Sequence, residues 1–117
     1  MGPAELLRWQ WASYPATHAT RANLLLHLCT APFFWVGTLL LLWALFTLNW
    51  PSAVTGVLCL SVTVLTQGFG HRRLEPQAPA PFSSPWNFVA RLFLEQWINF
   101  PRYVVSGGWV RAFRDGR

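Results

Sequence analysis

Four side chains in this sequence, His18, His27, His71 and Glu75, offer donor atoms suited to a metal ion. Imidazole nitrogens and a carboxylate oxygen make an N/O set for Fe(II), Zn(II) or Mn(II), and such a set with open positions is what oxygen activation requires. Spacing decides whether they can meet. His71 and Glu75 are four residues apart and would share one face of a helix about one turn apart, although Pro76 puts the end of that helix close by. His18 and His27 are nine apart and would point in opposite directions on one continuous helix. Their convergence requires His18 to lie in a preceding segment that folds back, with Thr20 or Asn23 capping the helix that carries His27.

The element that can bring His27 and His71 together is a block without Asp, Glu, Lys or Arg that runs for 49 residues, from Ala22 to Gly70. Asn49-Trp50-Pro51-Ser52 divides it, because Pro51 cannot continue one helix but suits the first turn of the next. The halves, Leu24–Leu48 and Ser52–Phe69, hold 25 and 18 residues, against the roughly 20 apolar residues a helix needs to cross a bilayer core. The expected fold is all-α: an integral membrane hairpin over about 22–48 and 52–71. A buried hairpin in a soluble bundle would need a polar face, and Leu39–Phe46 (LLLLWALF) has none. With the turn centred between Trp50 and Pro51, His27 faces about residue 74 and His71 about residue 30, a mismatch of about 4.5 Å. His27, His71 and Glu75 then sit at similar height. All nine Arg lie outside the block and none is at the turn, so the positive-inside rule puts both termini in the cytoplasm. In a bacterium the membrane would be the inner one. Trp50 fits an interfacial anchor.

Beyond the hairpin, four prolines between residues 76 and 85 exclude a regular helix. From Trp86 to Phe100 the polar residues Asn87, Arg91, Glu95, Gln96 and Asn99 share one arc, opposite Phe88, Val89, Leu92 and Phe93. This predicts an amphipathic helix, about 86–100, at the membrane surface or against the hairpin, with Arg91 and Glu95 spaced to pair. Pro101 reads as a second breaker, before a short C-terminal segment. Composition agrees with one membrane-embedded domain over 1–117. The chain is 53% hydrophobic and 11% charged, which excludes disorder. No Arg-rich helix alternates with polar residues, so nucleic acid is not an expected partner despite a net charge of +5. Cys29 and Cys59, inside apolar runs, read as reduced, buried thiols. The N-terminal stretch has neither the apolar core nor the cleavage site of a signal peptide.

Tyr14-Pro-Ala-Thr-His18, then Asn23 and His27, then Gln67-Gly-Phe-Gly-His71, Glu75 and Pro79-Ala80 resemble the Mpo1-like family, whose pattern is Y-x3-H, N-x3-H, G-H-x3-E and a following P-A. The stretch FPRYVVSGGW looks like the short bacterial members, and the likeness covers about residues 10–110. Pro76-Gln77-Ala78 departs from the small or basic residue and Asn often found there. The resemblance implies an Fe(II)-dependent dioxygenase acting on 2-hydroxy fatty acids and O2, an α-oxidation step that shortens the chain by one carbon. It implies His18, His27 and His71 as iron ligands and Glu75 as ligand or base. Such a substrate can chelate iron through carboxylate and hydroxyl, with its tail among membrane lipid. Arg21, Arg72 and Arg73 are placed to steer its anionic head, and Tyr14 to donate to a bound oxygen species. Trp86 and Trp97 read as interface or packing groups.

Two readings from other classes stand beside this one. His27 and His71 on facing helices could ligate a b-type haem axially, as in an electron-transfer protein. A small membrane scaffold without enzymatic activity would make the histidines incidental.

Overall fold

The computed structural model describes all 117 residues and contains helices and no strands. Helix α1 (Pro3–Thr17) leads through a short turn into α2 (Arg21–Thr47), which is antiparallel to α3 (Trp50–Arg73). After the proline-rich segment come α4 (Pro85–Leu94), a π-helical turn (Glu95–Asn99) and α5 (Phe100–Val105), and finally α6 (Gly108–Asp115). The segment before the hairpin is thus a full helix, with Pro15 in its last turn.

The hairpin forms where its turn signals place it. Leu48 takes the left-handed conformation that stops α2. Asn49 caps α3 by accepting from the Ser52 N–H at 3.0 Å, and Pro51 occupies the first turn, where it forfeits no helical hydrogen bond. Thr20, not Asn23, caps α2, its hydroxyl accepting from the Asn23 N–H. The two long helices touch at backbone level: a Cβ on Gly37 would lie 2.8 Å from the Gly56 carbonyl oxygen, and one on Gly56 would lie 2.9 Å from that of Gly37. Small residues permit such close approach where apolar burial gives helices little reason to associate. The residues that meet are Gly37 with Gly56, Thr30 with Thr63 and Asn23 with Gly70, about one turn displaced on each helix from the pairing read off the turn.

Both α2 and α3 are long and apolar enough to cross a membrane. Around the turn their surface is exposed and hydrophobic, with Trp43, Leu45, Phe46 and Leu58 facing outward. Cys29 is exposed and Cys59 half-buried, both free thiols; the expectation that both are buried fails at Cys29, which lies on the outer face of α2. The core lies at the other end, where Tyr14, Leu24, Ala31, Phe100 and Tyr103 pack together, flanked by Trp11, Trp35 and Trp109.

The helix after the proline-rich segment is amphipathic with the reverse orientation to that expected for a surface helix. Arg91, Gln96 and Asn99 are buried, whereas Trp86, Val89 and Phe93 are exposed. Pro101 does not break it. In the π turn the Phe100 N–H donates to the Glu95 carbonyl, so the next such donor would come from Pro101, which has none. The Gln96 carbonyl thereby left over accepts the Trp35 indole N–H at 2.6 Å. A side chain of α2 completes the backbone of the π turn, and this ties the turn to the hairpin.

Candidate metal centre

The three histidines come from three different pieces of chain. His18 follows the last residue of α1, His27 lies one and a half turns into α2, and His71 lies in the last turn of α3. Their rings meet edge-on, with centroids 4.6–4.9 Å apart. The fourth member is Glu95, at the start of the π turn. One donor atom from each of these four residues lies within 4.8 Å of all the others. The His27 and His71 Nε2 atoms are 3.2 Å apart, and Glu95 Oε1 is 3.0 Å from His18 Nε2 and 3.4 Å from His27 Nε2.

These separations suit one shared cation. Bonds of about 2.0–2.2 Å at angles between right and tetrahedral put neighbouring donors about 3.0–3.4 Å apart. Tautomers fit as well. His18 Nδ1 lies 3.0 Å from the Tyr14 carbonyl and His27 Nδ1 2.9 Å from the Asn23 carbonyl. An Nδ1–H donated to a backbone carbonyl leaves Nε2 with a lone pair, the arrangement that orients metal-ligating imidazoles. Those lone pairs face a carboxylate oxygen and one another, so a proton or a cation must lie between them. Burial pushes the His18 imidazole below its ordinary pKa, although Glu95 opposes this. Burial alone would raise the Glu95 carboxyl, but hydrogen bonding to His18 and His27 and their charge hold it well below the usual carboxylate range.

Glu75 lies outside this cluster, so of the two roles open to it, ligand or base beside the ligands, the first is corrected. Helix α3 ends at Arg73, so Glu75 never stands one helical turn above His71. Its carboxylate instead accepts from the Ala19 N–H at 2.9 Å, the Thr20 N–H and hydroxyl at 3.1 and 3.0 Å, and the Asn23 amide at 2.9 Å. A negative group there complements the N-terminus of α2. It also pins the turn that carries His18 and the residue whose carbonyl orients His27. Asn23 is held from the other side by Gly70, where any Cβ would run into its Oδ1.

The remaining candidates divide. The Tyr14 ring stacks on His18 at 3.7 Å, and its hydroxyl reaches Glu95 Oε1 at 3.4 Å. Burial, reinforced by Glu95, raises the phenol well above its ordinary pKa, so it stays protonated as a donor to that carboxylate. Arg21 points away from the cluster and donates to the Phe113 and Arg114 carbonyls at 2.6 and 2.9 Å, which closes the end of α6. Arg72 and Arg73 are exposed, and Arg72 lines a groove that reaches the cluster. The expected Arg91–Glu95 pair does not form, because Glu95 turns to the histidines and Arg91 to the proline-rich segment. The role of Glu95 was missed. Its i+4 partner and the polar arc made it read as an exposed surface residue, and the π turn that redirects it has no local sequence signature beyond Pro101.

Two openings meet the site on its His71–Glu95 side. One is a small cleft of about 80 Å³ among Trp9, Tyr14, His18, Arg91 and Glu95. The other is a groove of about 290 Å³ along Val64, Leu65, Gly68, Phe88 and Leu92. His71, Phe82, Leu92 and Glu95 line both.

No match was found among curated proteins or among solved structures. A family model described as "2-hydroxy-palmitic acid dioxygenase Mpo1-like" matches residues 5–100, which includes all four clustered side chains and both long helices. This chain belongs to the Mpo1-like family.

Proposed function

We propose that this protein is an Fe(II)-dependent dioxygenase that shortens long-chain 2-hydroxy fatty acids by one carbon at the cytoplasmic face of a membrane. The observation that carries the reading is the convergence of His18, His27, His71 and Glu95 at the polar end of an apolar hairpin, with the groove along Val64 and Leu65 leading away from it. The family's printed description supports the substrate class. Oxidation of RCH(OH)COOH by one O2 to RCOOH, CO2 and H2O balances in atoms and electrons, so no outside reductant is needed.

Bound iron would supply open positions at which O2 and the hydroxy acid can react, the electrons for O2 coming from the hydroxy acid itself. The chain does the rest. Three imidazoles and one carboxylate hold the ion, and the Nδ1 contacts to the Tyr14 and Asn23 carbonyls keep two of the rings aimed. Tyr14 holds Glu95 in place by donating to it. His18 and His27 are sealed from solvent, whereas His71 and Glu95 are half-buried, so substrate enters from their side. The outward faces of α2, α3 and α4 carry Leu39, Trp43, Leu65, Trp86 and Phe93, and lipid is the solvent that suits them. With the arginines gathered at the histidine end, both termini lie in the cytoplasm.

A bis-histidine haem fits poorly, since His27 and His71 nitrogens 3.2 Å apart leave no space for a macrocycle between them. The test is metal content of anaerobically purified protein together with oxygen uptake on 2-hydroxypalmitate. About one iron per chain and a product acid one carbon shorter are expected. Metal-free, inert protein that cannot be reconstituted would refute the reading.

A further inference from the structure

Arg91 is an unusual residue for this fold. It is only 6% exposed, and charged side chains are almost never so buried unless paired. No carboxylate pairs with it: the ion pairs of the fold join Glu95 to His18 and His27, and Asp115 to Arg114. It is nevertheless rigidly held. Its guanidinium lies over the rings of Phe82 at 4.2 Å and Trp9 at 4.9 Å. Nη2 donates to the Ala80 carbonyl at 2.8 Å, and Nη1 to the Pro81 carbonyl at 3.3 Å and Asn87 Oδ1 at 3.4 Å.

These contacts engage three of the five N–H donors. The free ones are the second hydrogen of Nη2 and the Nε–H, and Nε is buried with no partner. Nε and Nη2 flank one edge of the guanidinium, the edge that can donate to both oxygens of a carboxylate. Arg91 also lines the small cleft together with His18, His71 and Glu95, one turn before Glu95 on the same helix. The cleft has room for a head group but not a chain, and the groove that shares its Leu92 and Phe82 walls continues along Val64, Leu65 and Phe88.

We infer that Arg91 is the carboxylate anchor of the site: its free edge binds the acid head of a long-chain 2-hydroxy acid in the cleft, and the tail leaves along the groove between α3 and α4. This rests on the dioxygenase reading for the choice of acid. It gives the site a means to tell an acid from an ester or alcohol of the same length, because a buried cation left without its partner penalises the wrong ligand.

The test uses full-length protein in detergent micelles and compares Arg91→Lys and Arg91→Gln with wild type. Binding of 2-hydroxypalmitate and of its methyl ester to metal-free protein is followed by tryptophan fluorescence, since Trp9 lies beside the guanidinium. Wild type should prefer the acid by about tenfold or more. Arg91→Gln should lose that preference while its ester affinity and iron content stay unchanged. Arg91→Lys, with charge but no two-donor edge, should fall between. On loaded enzyme the loss should appear mainly as a raised KM. Unchanged acid binding in both variants, or equal loss of acid and ester, would overturn the anchor and leave Arg91 as a brace for the proline-rich segment. If Arg91→Gln does not fold, the acid-to-ester ratio of Arg91→Lys decides. An Arg91-dependent preference in a protein without turnover would sink the dioxygenase reading and keep the anchor. Turnover with a preference indifferent to residue 91 would do the reverse.

Discussion

The two ends of the hairpin are built on opposite plans. Around Gly37 and Gly56 the helices are held by direct backbone contact, and nearly every large side chain faces outward. Around His27 and His71 the same two helices enclose buried polar groups: Asn23, Thr30, Thr63 and Gln67 are all at most 7% exposed. Thr63 donates to the Thr30 carbonyl at 2.8 Å and Gln67 to the Thr30 hydroxyl at 3.0 Å, and Gln67 and Gln96 exchange amide bonds across to the π turn. The contrast teaches what each end depends on. The turn end keeps its large apolar side chains on the outside, on two helices long and apolar enough to cross a membrane. The histidine end supplies its own interior from α1, α4, α5 and α6, and that enclosure brings imidazoles, a carboxylate and a guanidinium close together.

Changes at the histidine end should therefore abolish chemistry, and changes at the turn end should cost stability alone. The largest effect is expected for His27→Ala. It removes the least exposed ligand, so iron and turnover should vanish together in metal analysis and oxygen uptake. A variant that retained both would end the ligand assignment.

The two carboxylates separate next. Glu95→Gln should lose most of its iron. Glu75→Gln should keep a measurable iron site weakened about 10–100-fold and should melt at lower temperature, since it gives up part of a charged acceptor for four donors. Titration of metal into apo protein reads the first effect and thermal unfolding the second. Equal iron loss in both variants would erase the distinction between them.

At the turn end, Gly37→Leu should destabilise by about 1–3 kcal/mol through overpacking against the Gly56 carbonyl, with full iron content in whatever fraction folds. Smallest is Asn49→Ala, which removes the cap of α3 and should cost about 1 kcal/mol, again without touching iron stoichiometry. Loss of iron in folded Gly37→Leu would show that the ends are coupled and that the contrast is too simple.

How much of this was legible in the sequence varies with the range of the interaction concerned. The hairpin and its turn follow from a charge-free block and one Asn-Trp-Pro-Ser turn, because helix rise and proline geometry are local properties, whereas the pairing of the two helices, about one turn away on each from the pairing read off the turn, does not. The cap of α2 was narrowed to Thr20 or Asn23 on the same grounds. The long-range choices were not legible. The spacing of Glu75 from His71 leaves ligand and base both open, and four residues bring the two together only if the helix continues. It stops at Arg73, and the acid turns to the open N–H groups of α2.

The residues alone determined an all-helical chain, two spans of apolar helix and three histidines able to share one end of it. Only the tertiary structure decided which acid joins them and what Arg91 faces. The first answer involves the π turn at Glu95–Asn99, where Pro101 has no N–H to give and the Trp35 indole, more than sixty residues earlier, donates to the Gln96 carbonyl, and the second the carbonyls of the proline-rich segment. A rotation of one residue in helical phase turns a polar stripe from solvent to the interior. The free energy that decides between those faces comes from partners on other helices, which periodicity within the segment cannot register.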